Sequence, residues 1–306
     1  MEAGYTLVFP APGRQPSEDE LVAAMDGCVG YLAGVEPISR RVIAAADGLR
    51  VISRNGIGVD NVDLVATRER GIEVKRAAGA NSRGVAELTL GHILAAARGI
   101  PRIDAALKSG GWEREKGIEL EGRVLGLVGC GHVGQTVATL ALGLGMKVLA
   151  FDPYRVTDFS PGGSFSWSDF EEVIASSDIV SLHCPPDPQR WVIGQFEIER
   201  MKRGVIIVNT ARDGLVDPEA ILKALDTGAV RTFTVDAFAS EPPEDRRLLS
   251  HRWVIATAHI GGFTDESVDR ATEIAVDNIL AVLCKNAESG TDPETIEGGT
   301  AEEQQR

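Results

Sequence analysis

The stretch that most constrains this fold is residues 123–152, RVLGLVGCGHVGQTVATLALGLGMKVLAFD. An apolar strand runs into Gly129-x-Gly131-x-x-Gly134, a helix follows, and a second strand ends in Asp152. Each part has a physical job in holding a dinucleotide. Gly129 makes the tight turn, Gly131 lets backbone amides approach a pyrophosphate, and Gly134 lets the helix pack on the sheet. The helix amino terminus adds positive potential. Asp152 stands where a carboxylate hydrogen-bonds a ribose 2′-hydroxyl and repels a 2′-phosphate, so the pattern points to NAD rather than NADP. Glycine-rich turns also occur in other doubly wound sheets; the flanking strands and the terminal acid are what narrow the reading. Arg155 is read as a solvated surface residue.

Around this segment strands and helices alternate nearly throughout, which implies an α/β fold with parallel sheets covered on both faces. A chain of 306 residues suits two lobes. Strands are expected at 5–9, 28–32, 49–53, 72–75, 123–128, 147–151, 178–183, 204–209, 232–236 and 253–257. Ser17-x-x-Glu20 is a capping box for a helix to about Met25, and Ser168-x-x-Glu171 is another for a helix at 169–176. Further helices are expected at 39–46, 61–70, 132–143 and 267–283, and at 218–226 with Asp217 as N-cap, Pro218 first and Gly228 beyond. In the long helix at 83–98, Val85, Leu88, Leu90, Ile93 and Leu94 form an apolar face. The polar stretch 109–119 reads as a loop or arm, and the acidic stretch 286–306 as a disordered tail.

The net charge of −14 disfavours nucleic acid or an anionic membrane as the main partner. Part of that charge is local, since residues 287–306 hold six acids against one arginine. Cys28, Cys130, Cys184 and Cys284 show neither metal nor disulfide spacing, which suits a reducing compartment. No apolar run reaches the roughly 18 residues a membrane span needs. The start lacks a charged signal region and cleavage site, so the cytoplasm is the expected address.

Three later segments end strands with reactive side chains, where open α/β sheets place their ligands. They are NTARDGLVD (209–217), VDAFASEPP (235–243) and AHIGG (258–262). Hydride transfer to a 2-keto acid needs a cation to hold the carboxylate and polarise the carbonyl, and an acid to protonate the forming alkoxide. Arginine supplies a planar fork for the carboxylate, and histidine titrates near neutrality. A carboxylate behind the histidine would tune it and fix its ring. The roles then fall to Arg212 for substrate, His259 for acid–base work and Glu241 behind His259. Singly, each has a plainer reading: Arg212 could cap a turn, and Glu241 beside two prolines could be a solvated loop acid.

With these motifs assembled, the chain resembles the D-2-hydroxyacid dehydrogenase family, phosphoglycerate dehydrogenases among its members in particular. SRNGIGVDNVDL (53–64), AGANSRGVAELT (78–89) and SDIVSLHCP (177–185) carry the likeness alongside the segments above. The resemblance implies an NAD-binding Rossmann domain at 80–263. It also implies a smaller flavodoxin-like substrate domain from 1–79 plus 264–285, both lobes doubly wound. Arg212, Glu241 and His259 become the implied catalytic trio. Cofactor contacts are implied at the glycine loop with His132 and Val133, and at Asp152, His183, Thr210, Ala211, Asp236, Gly261 and Gly262. The amides of Ile57 and Gly58 would bind the substrate carboxylate, with Arg54 beside them as a candidate phosphate ligand. Relatives dimerise through the helix matching 83–98 and the arm after it, which would place Trp112 at a subunit interface. His92 and His251 are read as structural, and no histidine has a metal-ligand neighbour.

Three departures from the family bear on substrate and chain start. A βα unit is expected before the strand at 5–9, so Met1 reads as a mis-set start or truncation. The arginine that phosphoglycerate dehydrogenases carry after the strand matching 28–32 is replaced by Leu32-Ala33-Gly34-Val35. Ala258 stands where a proline usually precedes the catalytic histidine, and Phe238-Ala239-Ser240 where an acid often follows the phenylalanine. The expected substrate is a small 2-hydroxy or 2-keto acid, 3-phosphoglycerate the leading candidate, with hydroxypyruvate or glyoxylate reduction as the alternative within the family. An NAD-sensing corepressor, a binding role known among relatives that keep the trio, is the alternative of a different class.

Overall fold

The computed structural model describes residues 4–156 and 158–288. The tail expected at 286–306 falls almost wholly outside them. Two compact units result, one of Met1–Ala80 with Val268–Arg306, the other of Asn81–Ser267.

In the first unit β1 (Gly30–Ala33), β2 (Val51–Arg54) and β3 (Glu73–Arg76) form a parallel sheet in the order β1-β2-β3. Only the middle strand is buried along its whole length. Side chains alternate across a strand, so Ile52 packs with Leu21, Val42, Ile43 and Ala66 on one face. Those residues come from α1 (Glu18–Ala24), α2 (Arg40–Ala44) and α3 (Leu64–Glu69). Val51 on the other face meets Val282 and Leu283 of the last helix, Asp265–Glu288. The Ser17–Glu20 capping box forms as expected, with each side chain bonded to the other's backbone amide. Helix α3 starts later than the expected 61. Asp63 caps it, and the Asn61 side chain is spent on the carbonyls of Gly34 and Glu36.

The strand expected at 5–9 is absent. Leu7, Val8 and Phe9 are 68%, 57% and 70% exposed and pair with no strand. Strand propensity is realised only against a neighbour and a buried face, and this segment has neither. The order β1-β2-β3 consequently runs without the reversal that the flavodoxin-like reading anticipates among the described residues.

The second unit holds seven parallel strands: β4 (Val124–Val128), β5 (Lys147–Phe151), β6 (Phe165–Trp167), β7 (Ile179–Leu182), β8 (Val205–Asn209), β9 (Val230–Val235) and β10 (Val254–Ala256). Their order is β10-β9-β8-β7-β4-β5-β6. The chain builds outward from β4 to β6, then returns to β7 and builds the other way. That reversal between β4 and β7 opens a crevice at the carboxyl ends of the two strands, the usual ligand position in such sheets. One face is covered by α4 (Ser82–Arg98) and α6 (His132–Gly143), whose Ile93, Val137 and Ala138 pack with Leu125 and Leu127. The other is covered by α7 (Phe170–Ser176), α8 (Gln195–Ile198) and α9 (Pro218–Thr227), through Val173, Ile198 and Ile221 against Val180 and Ile207.

Several local expectations change. Helix α7 is capped by Asp169, whose Oδ1 accepts from the Glu172 amide at 2.7 Å, rather than by Ser168. β6, α8 and α5 (Ile100–Lys108) were not anticipated. None of the residues of α5 is buried, so it leaves no core-facing period to read; Gly99, at φ 63°, separates it from α4. On α4, Val85, Leu90 and Ile93 are buried as expected, but Leu94 is 42% exposed. The last helix, α10, is the Asp265–Glu288 segment. No helix among the described residues is long and apolar enough to cross a membrane.

Candidate active site

The glycine loop joins β4 to α6. Gly129 has φ 95°, and a Cβ there would stand 2.6 Å from the His183 carbonyl and 2.7 Å from the Cys184 amide nitrogen. Both are backbone atoms, so only glycine fits. A Cβ on Gly134 would run into the Gly129 carbonyl, which is why α6 can lie so close to the loop. Gly131 is the N-cap of α6 and supplies no side-chain cap, leaving the first-turn amides of His132, Val133 and Gly134 uncapped by a side chain. Uncapped amides at a helix amino terminus suit a phosphate group. Asp152, just past β5, braces the loop: its carboxylate accepts from the Cys130 amide at 2.7 Å and the Tyr154 amide at 2.8 Å. Arg155 is drawn away to the Ser168 carbonyl at 3.0 Å and lies over the Trp167 ring. This loop fits NAD, on the exclusion of a side chain at Gly129 and on Asp152 at the strand end.

After β7, His183 bonds Ser181 Oγ at 2.9 Å, and burial pushes its imidazole down to about 4. The ring is therefore neutral at physiological pH. After β8, Asn209 braces the turn, accepting from the Ala211 amide and donating to the Arg212 carbonyl at 2.8 Å. The Arg212 guanidinium donates to the Ala211 carbonyl at 2.7 Å. Thr89 of α4 donates to the Val85 carbonyl at 2.8 Å, so in its 2.7 Å contact with Thr210 it is Thr210 that donates.

Glu241 follows β9 and His259 follows β10. The two are in direct contact, with Nδ1 of His259 2.8 and 2.9 Å from the two carboxylate oxygens of Glu241. A carboxylate only accepts, so Nδ1 carries a proton and Nε2 is the nitrogen left for exchange. His259 is also the one described non-glycine residue with positive φ, at 51°. Asp236 holds the backbone around it. Buried at the end of β9, its carboxylate accepts from Thr257 Oγ1 at 2.5 Å, the Ile260 amide at 3.0 Å and the Gly261 amide at 2.8 Å. Gly261 and Gly262 are pressed tightly here; a Cβ on Gly262 would meet Asn81 Nδ2 at 2.8 Å. The residues expected to act together in the second unit thus lie at the carboxyl ends of five adjacent strands and the outermost β10. Arg212, Glu241 and His259 follow three neighbouring strands, β8, β9 and β10.

In the first unit Arg54 closes β2. Its guanidinium donates to the Gly58 carbonyl at 2.7 Å, to the Ala33 carbonyl at 3.0 Å and to the Gly34 carbonyl. The side chain therefore ties the loop carrying Ile57 and Gly58 to the end of β1. Sequence reading took His92 as structural and passed over Thr89, its polar neighbour on the buried face of α4. Two polar residues three apart on an otherwise apolar helix face were the available signal.

The whole residue range 90–261 matches the family model described as "D-isomer specific 2-hydroxyacid dehydrogenase, NAD binding domain". The chain belongs to the D-isomer specific 2-hydroxyacid dehydrogenase family. It is 43% identical over 270 residues to the D-3-phosphoglycerate dehydrogenase of Methanocaldococcus jannaschii, covering 87% of this chain and 52% of that protein. It is 42% identical over 252 residues to the hydroxypyruvate reductase of Thermotoga maritima, covering 80% of this chain and 81% of the relative. Among solved structures, a D-2-hydroxyisocaproate dehydrogenase superposes with TM-score 0.80 at 26% identity, over 88% of this chain and 87% of that one. This member of the family spans about half the length of the phosphoglycerate dehydrogenases it matches.

Proposed function

We propose that this chain interconverts a small 2-hydroxy acid and its 2-keto acid, with NAD as redox partner. The observation that carries the reading is the His259–Glu241 pair, which leaves Nε2 of an exposed imidazole as the only ring nitrogen open to substrate. Bound NAD supplies the hydride acceptor or donor for C2. In the reductive direction His259 gives its Nε2 proton to the C2 oxygen, and in the oxidative direction takes it back. Glu241 holds the ring in one tautomer and stabilises it while charged. Arg212 grips the carboxylate and polarises the C2 carbonyl. The cofactor is held by the glycine loop with His132 and Val133, by Asp152, and by the turns at His183, Thr210–Ala211, Asp236 and Gly261–Gly262. The Ile57 and Gly58 amides take the substrate carboxylate, and Arg54 acts by fixing their loop.

Arg54 is committed to three carbonyls, which favours an unphosphorylated keto acid such as hydroxypyruvate over a phosphorylated one as the second, narrower reading. A panel of 2-keto acids followed by NADH absorbance tests both. Turnover of several of them with hydroxypyruvate ahead of phosphohydroxypyruvate is the expected result; no turnover of any, with NAD binding intact, would favour an NAD-sensing binding protein. We further read the exposed Leu94, Ile100, Leu107 and Trp112 on α4, α5 and the following arm as a homodimer face, and the cytoplasm as the compartment.

A further inference from the structure

Helix α4 runs beneath the strand ends, and its buried face carries His92, 3% exposed. His92 Nε2 lies 3.0 Å from Thr257 Oγ1. Thr257 has one hydroxyl proton, and that proton is given to Asp236 at 2.5 Å. Toward His92 the hydroxyl can therefore only accept, so Nε2 must carry a proton. Nδ1 is buried with no hydrogen-bond partner among the described residues, a position that an N–H would make costly. The ring is thus fixed as one neutral tautomer, and burial acts in the same sense by lowering its basicity.

We propose that His92 is a positioning residue for His259, acting through Thr257 and Asp236. The relay has a definite target. His259 occupies the left-handed region, which a non-glycine residue keeps only where its surroundings over-determine it. Asp236 supplies that restraint from both sides: Thr257 lies two residues before His259, and Ile260 and Gly261 follow it. His92 fixes which way the β-branched Thr257 turns, so that Oγ1 and not the methyl faces Asp236. Thr89, one turn earlier on the same face, receives the Thr210 hydroxyl in the same manner, so α4 sets two of the turns. Both contacts lie within the second unit. The inference rests on His259 as the acid–base residue, and the controls separate the two claims.

The experiment compares His92→Leu, His92→Gln and His259→Ala in the full chain, with kcat, KM and the pH dependence of kcat measured on the best keto acid. His92→Leu should lower kcat about threefold to tenfold, the effect of one net hydrogen bond. The keto-acid KM should stay within about twofold, and the pH limb lost in His259→Ala should be displaced. His92→Gln, whose amide can donate to Thr257, should recover most of the rate. Wild-type kcat and pH profile in His92→Leu would overturn the proposal, as would a loss that His92→Gln fails to rescue. An unimpaired His259→Ala would instead overturn the acid–base assignment on which it rests. Should His92→Leu not fold, selective 15N-histidine NMR of the wild type still decides: an Nε2–H signature for His92 supports the relay and an Nδ1–H signature overturns it.

Discussion

The two units answer differently to the same reading. In the larger one, β4, β5, β7, β8 and β9 are interior strands, and β7 and β8 are near-continuous runs of buried, mostly apolar residues, IVSL and VIIVN. Burial on both faces demands such runs, and the runs announce the strands. In the smaller one only β2 is interior, β1 and β3 are edges with half-exposed side chains, and all three expected positions slipped by one or two residues. The difference teaches that burial on both faces marks a strand without fixing its ends: the fully buried β2 shifted from 49–53 to Val51–Arg54, while the half-exposed β5 stands at its expected 147–151. The hydrogen bonds divide along the same line: the His259–Glu241 pair, Arg212 and the glycine loop follow strands of the seven-stranded sheet, and in the smaller unit Arg54 pins the loop carrying Ile57 and Gly58.

The sharpest way to break the comparison is at the His259–Glu241 pair. His259→Ala should lower kcat by roughly 10²–10⁴, the contribution of a positioned acid–base residue. A wild-type rate would move the chemistry out of the larger unit's strand ends. Core truncation comes next. Phe233, in the middle of β9 and 2% exposed, should cost about 3–5 kcal/mol as Phe233→Ala. Phe9→Ser, in the unpaired and exposed segment of the other unit, should change stability by less than about 0.5 kcal/mol. Urea unfolding of the two variants measures the contrast, and equal losses would erase it.

A smaller effect follows from His183, lowered by burial from 6.5 to about 4. The unfolded chain takes up a proton that the native state refuses, so stability falls as pH drops through 6.5, and the loss is complete below about 4. Between pH 6.5 and 5 the loss should be about 2 kcal/mol, and His183→Gln should flatten that part of the profile in urea midpoints. The buried His92 acts in the same direction. Last in size, NADH should be preferred over NADPH at least tenfold, about 1.4 kcal/mol, and Asp152→Ala should narrow the gap. Comparable efficiency with both cofactors in the unaltered chain would show that Asp152 braces the loop without selecting the ribose.

The glycine loop, the strand-end positions of Arg212, Glu241 and His259 and most of the larger sheet could be read from residues because each is dictated locally: a close backbone approach, a charged side chain at a strand end, an apolar run. What escaped the reading depends on neighbours distant in sequence. The three-residue β6 is defined only by β5 beside it, and α5 buries nothing. Residues 5–9 look like a strand but find no partner. Ser168 and Asp169 are both good caps, and only the helix's final register chooses Asp169. The Asp236 carboxylate accepts from the loop that bears His259, a contact between residues more than twenty apart that no local pattern shows. His92 was read as structural, and its contact with Thr257, 165 residues away, exists only in the fold.

The division of the chain has a consequence for its synthesis. The larger unit, Asn81–Ser267, is one uninterrupted stretch, while the smaller is split around it. Val51 cannot be covered by Val282 and Leu283 until the ribosome has made everything between them. At about 5–20 residues per second, the roughly 190 intervening residues hold the smaller sheet half-covered for on the order of 10–40 s. During that interval the middle strand of the first-made sheet shows one apolar face to the cell. The first unit to begin is the last to finish, and its nascent form is the species that a chaperone would meet.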